Sequence, residues 1–219
     1  MKSKMTLTLI MIALLWVAPG PVRALDSSAI VEAIQKQFDS TQTFQADFVQ
    51  RSFLKVLGQS QRAEGSVAIK KPGKMKWVYS APDPQVLTSN DKNLWLYLPE
   101  EKQVSKMKVQ SVYSSNTPAL FLAGKGKLTE SFSIGKVTEE KGLYIVELIP
   151  RDKVQNLSKM VLLANKKNFQ IVGSRVYDNL GNKTEMIFKN MKVNPSLDES
   201  LFRFEVPKGV ELIDLSAME

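Results

Sequence analysis

Apolar residues change their spacing along this chain, and the changes mark out its elements. After Asp26, Ser27 and Ser28, whose side chains suit a helix cap, Ile30, Val31, Ile34 and Phe38 recur at helical spacing and predict one amphipathic helix through about Phe38. From Thr43 the period becomes two: Phe44, Ala46 and Phe48 alternate with Gln45, Asp47 and Val49, as in a strand with one greasier face. Further strands are predicted over Arg62–Lys70, Lys74–Ser80, Gln85–Ser89, Asn93–Leu98 and Gln103–Lys108. The breaks between them, Lys71 to Gly73, Ala81 to Pro84, Asn90 to Lys92 and Pro99 to Lys102, are too short for the crossover of a parallel pair, so neighbours run antiparallel.

The meander pauses once. Asn116 or Thr117 suits a cap, Pro118 the first helical position, and Ala119, Leu120, Phe121 and Leu122 form a short apolar helix ended by Gly124 and Gly126. A second series follows over Ser131–Lys136, Leu143–Ile149, Ser158–Leu163, Gln170–Asp178 and Lys183–Lys189. A tail then offers a brief helical turn at Pro195–Leu201 and an extended end at Phe202–Leu212. About eleven antiparallel strands in one series curl through their own twist. The expectation is a mainly β chain: a single domain whose strongly curved antiparallel sheet forms an incomplete, half-open β-barrel.

Composition adds what the pattern lacks. Lys2 and Lys4 precede an apolar stretch, Met5 to Ala18, that Pro19, Gly20 and Pro21 break. It is shorter than the roughly 20 residues of a spanning helix, and Val22 and Ala24 are the small residues that a signal-peptide cut prefers. Residues 1–24 are therefore expected to be a signal peptide cut after Ala24, and residues 25–219 an exported, soluble domain. The formal charge of +8 falls to +5 once Lys2, Lys4 and Arg23 are removed. Lys74, Lys76, Lys106, Lys108, Lys159, Lys183 and Lys189 lie along strands without the aromatic and glycine motifs of a nucleic-acid module, and read as a solvated sheet face.

The chain has neither cysteine nor histidine. That excludes disulfides, thiol nucleophiles, histidine-based catalysis, most zinc and copper sites, and the lipid-modified cysteine of an anchored lipoprotein. Asp47, Glu64, Asp83 and Asp91 show no paired arrangement for carboxylate chemistry, and no GxxxxGK[ST] run is present. The expectation is a protein that is not an enzyme and uses no cofactor or metal.

A curled sheet has a hollow, which side chains, helices or a guest must fill. The apolar residues available to line it are Phe44, Phe48, Val67, Ile69, Met75, Trp77, Tyr79, Trp95, Tyr97, Leu120, Phe121, Leu122, Met160, Leu162, Met186 and Phe188. Met75, Met160, Met186 and Met191 fall on or beside these positions, and a flexible thioether adapts to guests of variable shape. Strand Asn93–Leu98 is apolar on both faces, Leu94, Leu96 and Leu98 opposing Trp95 and Tyr97. Both of its sides need cover, and alternation alone does not say which one looks inward.

Six segments in order carry a resemblance: Phe44 to Gln50, Gly65 to Trp77, Pro82 to Leu87, Leu94 to Pro99, Asn116 to Ala123 and Phe204 to Glu211. Together they resemble the LolA-type outer-membrane lipoprotein carriers. The resemblance implies an incomplete barrel with a short helical lid at Pro118 to Leu122, and acyl chains held in an apolar cavity by Trp77, Trp95 and Tyr97 with the other apolar residues above, Leu120, Phe121 and Leu122 included. It also implies a periplasmic monomer that takes mature lipoproteins from an inner-membrane ABC transporter to an outer-membrane receptor. Many members carry an arginine before the proline of the third-strand turn, where it bonds lid carbonyls. Here that residue is Lys71, a point charge without the planar fork, implied as a lid latch. A carrier of another amphiphile, such as a glycolipid, is the alternative.

Overall fold

The computed structural model describes residues 26–109, 127–151 and 157–216. The expected signal peptide and the expected lid, with Leu120, Phe121 and Leu122, lie outside the described residues. The described fold opens with α1 (Ser27–Ser40) and continues through β1 (Thr43–Leu54), β2 (Gln59–Lys70), β3 (Lys74–Ala81), β4 (Gln85–Ser89), β5 (Asn93–Leu98) and β6 (Gln103–Lys108). After a single helical turn, α2 (Leu128–Ser131), come β7 (Phe132–Glu140), β8 (Leu143–Pro150), β9 (Lys159–Asn165), β10 (Ile171–Tyr177) and β11 (Lys183–Val193). A 3-10 turn (Glu199–Phe202) and β12 (Glu211–Asp214) complete the described fold.

All twelve strands form one sheet in the order β12-β6-β5-β4-β3-β2-β1-β11-β10-β9-β8-β7. The two meanders are thus hinged on the β1–β11 pair, where Phe48 lies opposite Phe188. Every pairing is antiparallel except the last: β12 runs parallel to β6, Glu211 beside Gln103 and Asp214 beside Lys106. The antiparallel series of about eleven strands expected from the sequence is β1 to β11, and β12 comes from the tail, which was expected only as an extended end. The long segment between β11 and β12 gives the chain room to cross the sheet and arrive at β6 in the same direction.

Cross-strand partners share a face, so the register shows which side chains meet. On one face Val146 pairs with Leu162, Tyr144 with Ala164 and Leu148 with Met160. Ile30, Val31 and Ile34 of α1 pack onto that row, which makes it the inner face of the β7–β10 half. Asp26 stands at the N-cap, but its carboxylate accepts from the Ser28 hydroxyl at 2.6 Å instead of capping a backbone N–H. The Gln35 side-chain oxygen accepts from the Leu128 N–H at 2.8 Å and ties α2 to α1.

The tail straps the opposite, outer face. Asn194, at φ 56°, accepts from the N–H groups of Gln42 and Thr43 and donates to the Ser40 carbonyl, so it joins the end of α1, the start of β1 and the tail. Lys70 and Lys74 then reach Glu199 at 2.6 and 2.7 Å, and Phe202 is buried beyond them.

Candidate functional site

The second half of the inner face, β1 to β5 with β11, carries a cluster of its own. Phe44, Phe48, Val67, Ile69, Met75 and Trp77 are buried there with Leu94 and Phe188, and Tyr79, Leu87, Met107, Met186 and Met191 pack against them. The register explains the grouping. Phe44 lies opposite Ile69, Ala46 opposite Val67, Val67 opposite Trp77, and Trp77 opposite Leu87, so a single row of side chains crosses four strands.

Aromatic rings form the centre of this row. Phe48 meets Trp77 edge-on with centroids 5.2 Å apart and Tyr79 at 4.9 Å, while Phe188 meets Phe44 at 5.3 Å. Gly65 makes the Phe48–Tyr79 contact possible, because it lies between them in the register. A Cβ there would stand 1.9 Å from the Val78 carbonyl oxygen and 3.0 Å from the Phe48 ring, so no side chain fits. Burial raises the Tyr79 pKa, and its hydroxyl donates to the Gln50 side-chain oxygen at 3.1 Å.

At the seam between this cluster and α1 lies a pocket of about 420 Å³, counting the part open to solvent. Phe38, Thr41 and Gln42 border it from the helix end, Phe44, Ile69 and Phe188 from the sheet. Lys71 stands at its edge. The Lys71 ammonium donates to the Phe38 carbonyl at 2.5 Å and sits 3.5 Å above the Phe38 ring centroid. Burial lowers its pKa to about 8, and the nearby Asp39 carboxylate offsets part of that shift. The described bond of Lys71 is therefore to the last turn of α1; a bond to Pro118–Leu122 falls outside the described residues.

Four of the residues expected to line the hollow belong elsewhere. Trp95 pairs with Thr88 and Tyr97 with Val86, while Leu96 pairs with Leu87, the partner of Trp77. Trp95 and Tyr97 thus point to the outer face, where Phe204 of the tail stacks on Trp95 at 5.9 Å and leans on Tyr97 at 6.3 Å. This corrects the expectation that they line the hollow. Met160 and Leu162 lie under α1 in the other cluster. Leu87, Leu94 and Met107, absent from the expected site, take their place on the wall; the alternation of β4, β5 and β6 carried them, but only once Leu87 is registered against Leu96 and Leu94 against Met107.

Among the described residues no group of His, Cys, Asp or Glu could hold a metal ion, and no helix is long and apolar enough to cross a membrane. Fold and site together define a half-open antiparallel barrel whose interior is apolar and aromatic. The family profile described as "Outer membrane lipoprotein carrier protein LolA" matches residues 39–205, and the chain belongs to that family. Proteins named outer-membrane lipoprotein carrier protein are 31% identical over 189 residues in Pseudomonas aeruginosa, covering 86% of this chain and 89% of that one. In Azotobacter vinelandii the figure is 32% over 197 residues, covering 90% and 92%. An uncharacterized conserved protein of Thermus thermophilus shares the fold at a TM-score of 0.55 and 13% identity, covering 86% of this chain and 98% of its own.

Proposed function

We propose that this protein is a non-enzymatic periplasmic carrier that holds the acyl chains of mature lipoproteins against its inner aromatic cluster. In this reading residues 1–24 direct export and residues 25–219 form the carrier, loaded by an inner-membrane ABC transporter and unloaded at an outer-membrane receptor. The observation that carries it is the run of apolar side chains from Phe44 to Leu87 across one face, beside an open pocket. Membership of a family of lipoprotein carriers supports the cargo.

A chain of about 16 carbons loses on the order of 12 kcal/mol when it leaves hydrocarbon for water, so a lipoprotein does not cross an aqueous space unaided. The carrier must offset that cost and still let go. Phe48 is 1% and Trp77 7% exposed, because the walls of the cluster pack on each other. A guest separates those walls, and the contacts it breaks are subtracted from its own affinity. Release is then built into the apolar cluster itself. Lys71, through α1 and the expected lid segment Pro118–Leu122, latches the closed form.

The test incubates purified protein with inner-membrane vesicles that hold lipoproteins and their releasing transporter, with ATP. Lipoprotein appearing in the soluble fraction as a complex with the protein is the expected result. A soluble fraction free of lipoprotein, with a glycolipid co-purifying instead, would transfer the reading to a different amphiphile.

A further inference from the structure

The far end of the β1–β2 hairpin carries apolar residues where turn geometry does not ask for them. The turn runs Lys55-Val56-Leu57-Gly58, and only Gly58, at φ +61°, has a backbone that calls for its residue type. Val56 is 84% and Leu57 62% exposed, and Phe53 at the root of the turn is also exposed. Some 125 residues later, by the register opposite this end, the β10–β11 turn presents Leu180 at 68% exposure.

The two tips are held together. The Lys55 N–H donates to the Asn182 side-chain oxygen at 2.9 Å, and the Lys55 stem lies so close to Gly181 that a Cβ there would stand 2.7 Å from its Cδ. Phe53 pairs with Lys183 across the same end. The charges around the knob favour cations. Arg51 and Glu185, and Arg62 and Glu64, pair with each other, and Asp178 turns its oxygens to Leu180, Asn182 and its own turn. Lys55 and Lys183 remain without an ion pair among the described residues.

We infer that this paired-hairpin knob is a contact site for an anionic lipid bilayer surface. Four apolar side chains on a narrow convex tip fall far short of the roughly 800 Å² per partner that a stable protein interface buries. They do suit shallow insertion at the headgroup boundary, with lysines beside them reaching anionic phosphates. The site lies at the opposite end of β1 from Lys71 and the pocket, so membrane contact and the hollow are separate. The inference therefore stands whatever guest the hollow takes.

The test is sedimentation of the purified protein with vesicles containing phosphatidylglycerol and, separately, with vesicles of phosphatidylcholine alone. The protein is expected to sediment with the anionic vesicles, less so at high salt. The pair Leu57→Asp and Leu180→Asp is expected to weaken binding about tenfold or more, since it replaces inserted apolar groups with charges. A Leu57→Trp variant, which keeps the tip apolar, is expected to shift its emission to the blue on adding anionic vesicles. Absence of binding by the parent protein, unaltered binding by the Asp variants, or an unshifted Leu57→Trp spectrum would each overturn the inference.

Discussion

At the scale of single residues, Lys71 shows how a charge is used inside an apolar seam. Its ammonium is held by one carbonyl and one ring face of Phe38, and burial lowers its pKa from the ordinary 10.5 to about 8. The folded protein thus releases this proton more readily than the unfolded chain. Below about pH 8 the charged lysine opposes folding in full, and the opposition is relieved as pH rises from about 8 to 10.5. Stability of the parent protein therefore gains a rising contribution across that window, and Lys71→Met is expected to abolish it. Denaturant titrations at several pH values check this; parallel profiles for the two proteins would remove Lys71 as the titrating group. The position of this residue before Pro72 was readable in the sequence, whereas its bond to α1 was not, since nothing in the pattern of residues 26–38 says which carbonyl the ammonium reaches.

At the scale of elements, strand bounds were legible where turns are sharply punctuated and illegible where both faces read alike. Strands β4, β5 and β6 coincide with their predicted ranges because Pro82, Asn90, Asp91 and Pro99 interrupt the apolar rows. The side of β5 that faces inward was hidden, since Leu94 and Leu96 are as apolar as Trp95 and Tyr97. Its outer cover is Phe204, remote in sequence, and a tail strap of that kind leaves no periodic signal. Strand β2 begins at Gln59, earlier than predicted, because Gln59, Ser60 and Gln61 are polar on both faces and pair only through the backbone. The tail also yields a prediction. Glu199 bonds Lys70 and Lys74, and these bonds lower its pKa from the ordinary 4.5 to about 2. Its stabilising contribution is complete above about pH 4.5 and lost as pH falls toward 2. Glu199→Gln is expected to flatten that acid limb and to speed hydrogen exchange at Phe202 and Arg203, and an unchanged acid limb would count against the strap.

At the scale of the molecule, one curled sheet serves two purposes along a continuous inner face. The β7–β10 half is closed by α1 and acts as a permanent core, while the β1–β5 half packs aromatic groups on one another beside an open pocket. The outer face is fastened by the tail, through Phe204 on Trp95 and Glu199 on Lys70 and Lys74. Trp77 and Trp95 report the two faces separately, and they are the tryptophans of the described chain. The most direct measurement is quenching by an acyl chain that carries bromine near its end, applied to Trp95→Phe, which leaves Trp77, and to Trp77→Phe, which leaves Trp95. Strong quenching of Trp77 with little effect on Trp95 is the predicted result; equal quenching of both, or quenching of Trp95 alone, would contradict an acyl site on the inner face.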